Sequence, residues 1–263
     1  MTEQAIHADG EAFESKVPRA TLGFWAIKIV ATTLGEVGGN AVSLSLGLGY
    51  LAGTAIFATA LAALLAAQIR ADRFHPFLYW ATITATTLAG TTLADFCDRS
   101  LGIGYLGGSL LLFALVIATL IAWKATLGTI AVETVRSRPT EAFYWTAIMF
   151  SQTLGTALGD WMADSSGLGY NGSAGVIVFA LAVVALAHYR TRLSRPLLFW
   201  AAFILTRPLG ATLANSLDKP AGVGGLGFSD LAISGVLAAI MVAAVLLIPQ
   251  RAGRHPGREA VAS

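Results

Sequence analysis

Four segments of the chain repeat one pattern without gaps: GFWAIKIVATTLGEVGGNAVSLSLGLGY (23–50), LYWATITATTLAGTTLADFCDRSLGIGY (78–105), FYWTAIMFSQTLGTALGDWMADSSGLGY (143–170) and LFWAAFILTRPLGATLANSLDKPAGVGG (198–225). Trp25, Trp80, Trp145 and Trp200 share a register. Gly35, Gly90, Gly155 and Gly210 follow ten residues later, and Asn40, Asp95, Asp160 and Asn215 fifteen residues later. Self-similarity of this kind means one supersecondary unit copied four times, with a core formed by stacking the copies. The offsets between successive copies, 55, 65 and 55 residues, group the repeats in pairs. Residues 21–123 form a first half and 142–250 a second, joined by a linker over 124–141 and flanked by tails at 1–20 and 251–263.

The repeated unit is apolar. Only 12% of residues are charged and 56% are hydrophobic, against about 25% charged in an ordinary soluble domain. Apolar stretches fall at about 22–40, 51–69, 77–94, 104–123, 142–160, 172–189, 197–214 and 230–249, each near the roughly 20 residues that a spanning helix needs. The expected fold is therefore an all-α integral membrane protein with eight transmembrane helices from four two-helix repeats. An even number of helices per repeat predicts parallel pseudo-symmetry about the membrane normal. The runs are too long and too rich in Ala and Leu for an outer-membrane barrel. Met1–Ala20 is polar and unlike a cleavable signal peptide, and reads as a disordered tail. The single cysteine, Cys97, allows no intramolecular disulfide.

Basic residues gather in the knots between repeats: Arg70 and Arg73; Lys124, Arg136 and Arg138; Arg190, Arg192 and Arg195. The knots inside repeats hold only Arg99 and Lys219 beside several aspartates. The positive-inside rule then predicts a bacterial inner (plasma) membrane protein with both termini cytoplasmic. The four tryptophans are expected at the inner interface as an aromatic belt. The glycine-bearing helices, with Thr91, Thr92, Thr156 and Thr212 beside the glycines, should form an inner ring, and the more apolar second helices an outer one.

Ionisable and amide side chains within such segments mark function, because lipid penalises them. Asn40, Asp95, Asp160 and Asn215 would form a ring of oxygen ligands about 22 Å from the inner interface. Asp98 and Asp218 follow three residues after Asp95 and Asn215, and Asp164 follows four after Asp160, on what would be the same helix face. Hard divalent cations suit carboxylate and amide oxygens, so Asp95, Asp160, Asn40 and Asn215 are candidate metal ligands. The bland alternative makes all four helix C-terminal caps. Glu36 would lie near the midplane as a proton-coupling group. Lys28 and Arg207, in the first and seventh helices, are further coupling or gating candidates. Lys28 is close enough to the interface to snorkel, while Arg207 precedes Pro208 and is placed to pair with Glu36. The Gly-rich LGLGY, LGIGY and GLGY turns lack the strand and the GK[ST] of a phosphate loop.

TTLGEVGGNAVS (32–43), TTLADFCDRSLGIGY (91–105), LGTALGDWMADSSGLGY (154–170) and RPLGATLANSLDKP (207–220) carry a resemblance over about residues 18–250. The chain resembles a bacterial family of predicted membrane-anchored proteins built from four copies of a short repeat of unknown function. That resemblance implies the repeat and the membrane fold, and no activity.

The function expected from the residues is secondary transport of a divalent metal cation, with Mn²⁺ a candidate, driven by protons or potential. A transporter of a small anionic organic solute, recognised by Arg207 or Lys28, is the alternative, and a channel or scaffold a further one. No enzyme is expected, since the spans lack histidine, and no cofactor or nucleic-acid partner is implied. The expected partners are the lipid bilayer, a small ion or small-molecule substrate, and further copies in a homo-oligomer.

Overall fold

A computed structural model of the protein describes residues 13–255. In chain order it holds β1 (Phe13–Pro18), α1 (Leu22–Asn40), α2 (Tyr50–Arg70), α3 (Pro76–Asp95), α4 (Tyr105–Leu127), α5 (Arg138–Asp160), α6 (Gly169–Arg190), α7 (Arg195–Asp218), α8 (Asp230–Leu247) and β2 (Ala252–His255). Local chemistry starts the inner helices. Thr21 caps α1 by accepting the Phe24 N–H, and α3, α5 and α7 each carry proline in the first turn, where its missing N–H costs nothing.

One helix per repeat, α1, α3, α5 and α7, packs beside its two neighbours to close a ring, with α7 returning to α1. The aromatic ends of all four meet one another, as do their Asn/Asp ends, so these inner helices run parallel. Each outer helix lies on the inner helix of the next repeat: α2 on α3, α4 on α5, α6 on α7 and α8 on α1. Within a repeat the two helices meet mainly around the connecting turn.

The small residues make this ring possible. A Cβ at Gly35 would stand 2.1 Å from Thr87 Oγ1, at Gly90 3.2 Å from Gln152 Cβ, at Gly155 2.1 Å from Arg207 Cγ and at Gly210 2.4 Å from Thr32 Oγ1. Each glycine thus receives the side chain three residues before the next glycine in the ring. The Thr87 and Thr32 hydroxyls bond carbonyls of their own helices and also come within 3.2 Å of the Ala31 carbonyl and 3.3 Å of the Thr206 carbonyl on the neighbouring helix.

The expectation of eight transmembrane helices is corrected here. Among the described residues the fold is all-α with eight long helices, of which five, α2, α4, α6, α7 and α8, are long and apolar enough to cross a membrane. The residues of α1, α3 and α5 that fail this test are threonines, glycines and charged groups that face other helices in the ring.

The tryptophans are corrected too. Trp80, Trp145 and Trp200 are buried, and Trp25 is half-buried. They join Phe24, Tyr79, Tyr144, Phe199 and Phe203 in an aromatic cluster inside one end of the ring. Trp200 Nε1 donates to the Ile130 carbonyl at 3.0 Å, and Trp80 Nε1 to Gln250.

The two ends of the chain close that end of the bundle. β1 pairs antiparallel with β2, so part of the N-terminal tail expected to be disordered, and part of the C-terminal tail, is strand. Residues 1–12 and 256–263 lie outside the described residues. Ser15 donates to carbonyls of Val132 and Val135, and Lys16 Nζ reaches Glu141 Oε2 at 2.9 Å, fastening the sheet to the linker between halves.

Candidate functional site

The fourfold register turns positions along the inner helices into stacked layers about the ring axis, roughly 6 Å apart at four residues per step. Lys28, Ile83, Ile148 and Phe203 form the layer nearest the aromatic end. Thr32, Thr87, Gln152 and Arg207 form the next. Glu36, Thr91, Thr156 and Ala211 follow, and then Asn40, Asp95, Asp160 and Asn215. All sixteen are buried.

Two charged residues break the symmetry of the middle two layers. Arg207 occupies the position held by threonine in the first two repeats, and Glu36 the position held by threonine in the second and third. Arg207 Nη2 lies 3.0 Å from Glu36 Oε2 in an ion pair with both side chains at 2% exposure or less. The same Nη2 donates to Thr91 and Thr156 hydroxyls, the latter at 2.5 Å. Ala211, the fourth member of that layer, leaves the space that the longer side chains use. Pro208, next to Arg207, sits inside α7 without ending it and removes one donor from the helical ladder.

Other groups in this region have no hydrogen-bond partner among the described residues: Lys28 Nζ, Arg207 Nε and Nη1, and both amide atoms of Gln152. Lys28 does not snorkel. It is fully buried, and its ammonium stands 3.7 Å from the centroid of the Phe203 ring, a cation–π contact.

Asn40, Asp95, Asp160 and Asn215 do share a layer, near the opposite mouth of the ring. Arg99 joins two of them, with Nε 2.8 Å from Asp95 Oδ1 and Nη2 3.1 Å from Asp160 Oδ2. Asn215 Nδ2 donates to Asp160 Oδ1 at 3.5 Å, and Asn40 Nδ2 to Asp218 Oδ2 at 3.4 Å. None of the four ends its helical run as a simple cap: after Asn40, Asp95 and Asp160 the chain continues into π-helical turns, Ala41–Ser45, Phe96–Ser100 and Trp161–Ser165.

Those turns redirect the next carboxylates. A π-turn closes i→i+5 bonds, so the α-helical rule that i+3 shares a face no longer applies. Asp98 is aimed at Gly108 on α4, where a Cβ would stand 2.4 Å from its Oδ1. Burial pushes its carboxyl above the usual range while Arg99 pulls it back. Asp164 is exposed and accepts from Tyr170 OH at 3.3 Å. Asp218 alone of the three reaches the layer, and it also holds Lys219 Nζ at 3.3 Å. Burial disfavours the Lys219 charge, but Asp218 keeps its pKa above the ordinary value.

The layer is therefore a polar network in which Arg99 and Lys219 hold the carboxylates of Asp95, Asp160 and Asp218. Among the described residues no group of three or more His, Cys, Asp or Glu side chains is arranged to hold a metal ion. Sequence reading passed over Arg99 as a loop charge, although its i+4 spacing from Asp95 signals an ion pair. Gln152 was also passed over. Its signal is that it stands in the register of Thr32 and Thr87, where a larger amide is out of pattern.

A family model described as Repeat of Unknown Function (DUF347) matches residues 23–74, 78–129, 143–194 and 198–250, one match for each helical pair. No curated protein and no solved structure matches the chain.

Proposed function

The chain belongs to the Repeat of Unknown Function (DUF347) family, and we propose that it is a membrane-embedded carrier that moves a small solute along the ring axis. The membrane reading is supported by the outer helices. α2, α4, α6 and α8 expose large apolar side chains such as Leu51, Leu110, Ile121, Phe179, Leu186, Val236 and Leu246, a far greater apolar surface than soluble monomers present. The basic knots between repeats lie at the end closed by the terminal sheet, which the positive-inside rule makes cytoplasmic.

The observation that carries the transport reading is the Arg207–Glu36 pair on the axis. A buried ion pair adds little stability over apolar residues of the same volume, whereas removing one partner costs about 3–5 kcal/mol. A pair that replaces two threonines in an otherwise repetitive layer suits a gate, because it can open only when another charge takes the place of one partner. A divalent cation such as Mn²⁺ would use the Asp95–Asp160 layer, and would first have to displace Arg99 from both carboxylates.

Purified protein in proteoliposomes tests the reading, with Mn²⁺, nitrate and formate as flux probes. The wild type is expected to carry at least one of them faster than protein-free vesicles. Glu36→Gln and Arg207→Lys, inserted at normal levels, should each slow that flux by about tenfold or more. Wild-type flux equal to that of empty vesicles for every probe would remove the carrier proposal.

A further inference from the structure

We propose that Lys28, Gln152 and Arg207 form a binding site for a small monovalent anion at the centre of the ring. The proposal names the substrate class of the axial path and rests on the carrier reading for its part in transport.

The two layers that hold these residues are rich in donors. Lys28 Nζ, Arg207 Nε and Nη1 and Gln152 Nε2 are all buried, and none has a hydrogen-bond acceptor among the described residues. Lys28 and Arg207 are both basic and no carboxylate shares either of their layers; Glu36, in the next layer, pairs with Arg207. A buried donor without an acceptor, and a buried charge without a counter-charge, are both costly. One anion could accept from all of these donors, whereas a cation would be repelled by Arg207 and, of the unpartnered atoms in these two layers, could use Gln152 Oε1 alone.

The geometry brings the donors together. Lys28 is held over Phe203, which lies one helical turn before Arg207 on the same face of α7. Gln152 lies in Arg207's own layer on the adjacent helix α5, one turn before Thr156, which accepts from Arg207 Nη2. Arg207 uses that one nitrogen for Glu36, Thr91 and Thr156 and leaves the rest of its planar fork free, an arrangement suited to an oxyanion or halide. Ile83, Ile148 and Phe203 complete the Lys28 layer and Thr32 and Thr87 the Arg207 layer, all buried, which restricts the guest to a few atoms. Entry of the anion would also supply the competing negative charge that loosens Glu36 from Arg207.

Purified full-length protein in detergent, titrated with nitrate, chloride or formate against gluconate at constant ionic strength, tests the site through its thermal midpoint. At least one of these anions is expected to raise the midpoint saturably. Lys28→Met, which keeps the length of the side chain over Phe203, should weaken the apparent affinity about tenfold or more, Gln152→Leu should weaken it several-fold, and Lys124→Met, on the exposed end of α4, should leave it unchanged. If Lys28→Met fails to fold, Gln152→Leu carries the test. No saturable shift in the wild type, or unaltered affinity in both Lys28→Met and Gln152→Leu, would overturn the site. Saturable anion binding without flux in proteoliposomes would keep the site and remove the carrier proposal. Mn²⁺ flux without anion binding would keep the carrier and remove the site.

Discussion

A single methyl group separates two kinds of glycine in this chain. At Gly210 an added Cβ would meet Thr32 Oγ1 at 2.4 Å and the Thr32 backbone carbon at 2.8 Å, so α1 and α7 would have to part. At Gly175 nothing lies within 4 Å, and a helical glycine there only forfeits stability, by roughly 0.5–1 kcal/mol relative to alanine. Gly210→Ala is expected to cost about 1–3 kcal/mol, and Gly175→Ala to be neutral or stabilising. Thermal unfolding of the two variants in detergent measures the contrast, and equal midpoints would contradict the ring contacts. The glycine register was legible in the sequence because close helix approach demands a residue without a side chain. The direction of the neighbouring side chains was not legible. Trp80, Trp145 and Trp200 turn into the core, and Asp98 turns toward Gly108, because packing partners and π-turns decide direction where residue type and α-helical spacing do not.

Helices were more readable than the pieces that join and cover them. All eight were placed within about four residues of their observed ends, since apolar runs, prolines and capping residues are local signals. Which of them qualify as spans was misjudged, because a helix buried in a ring of helices and one buried in lipid share much of their apolar composition. β1 was hidden for another reason: FESKVP alternates weakly, carries two charges, and gains its meaning from β2 at the far end of the chain. Its anchor is the Lys16–Glu141 pair, 2.9 Å long with both side chains under 10% exposed, supplemented by a bond from Lys16 Nζ to the Ile69 carbonyl. Lys16→Met leaves Glu141 buried without its counter-charge and is expected to lower stability by about 3–5 kcal/mol. The double variant Lys16→Met/Glu141→Gln should recover a large part of that loss. Denaturation of the single and double variants checks both, and a single variant within about 0.5 kcal/mol of the wild type would show that the sheet is merely resting on the bundle.

For the molecule as a whole, the exchange of outer helices between repeats makes the two halves interdependent. α4 belongs to the first half but packs on α5 of the second, and α8 of the second packs on α1 of the first. Repetition alone would let either half pair with a second copy of itself, because the glycine contacts recur at every step around the ring. The axis forbids it. Two first halves would place two Glu36 side chains at the centre with no Arg207, and two second halves would place two Arg207 side chains there with no Glu36. Either arrangement puts two like charges in one layer without the partner that stands 3.0 Å away in the native ring. Fragments 1–128 and 129–263 are therefore expected to assemble when produced together and to be recovered as a one-to-one complex through a tag on either one. The first fragment alone should accumulate poorly, and Glu36→Ala should improve its self-association by removing the repulsion. A stable homodimer of the unaltered first fragment, formed as readily as the mixed complex, would show that the central pair does not select the partner.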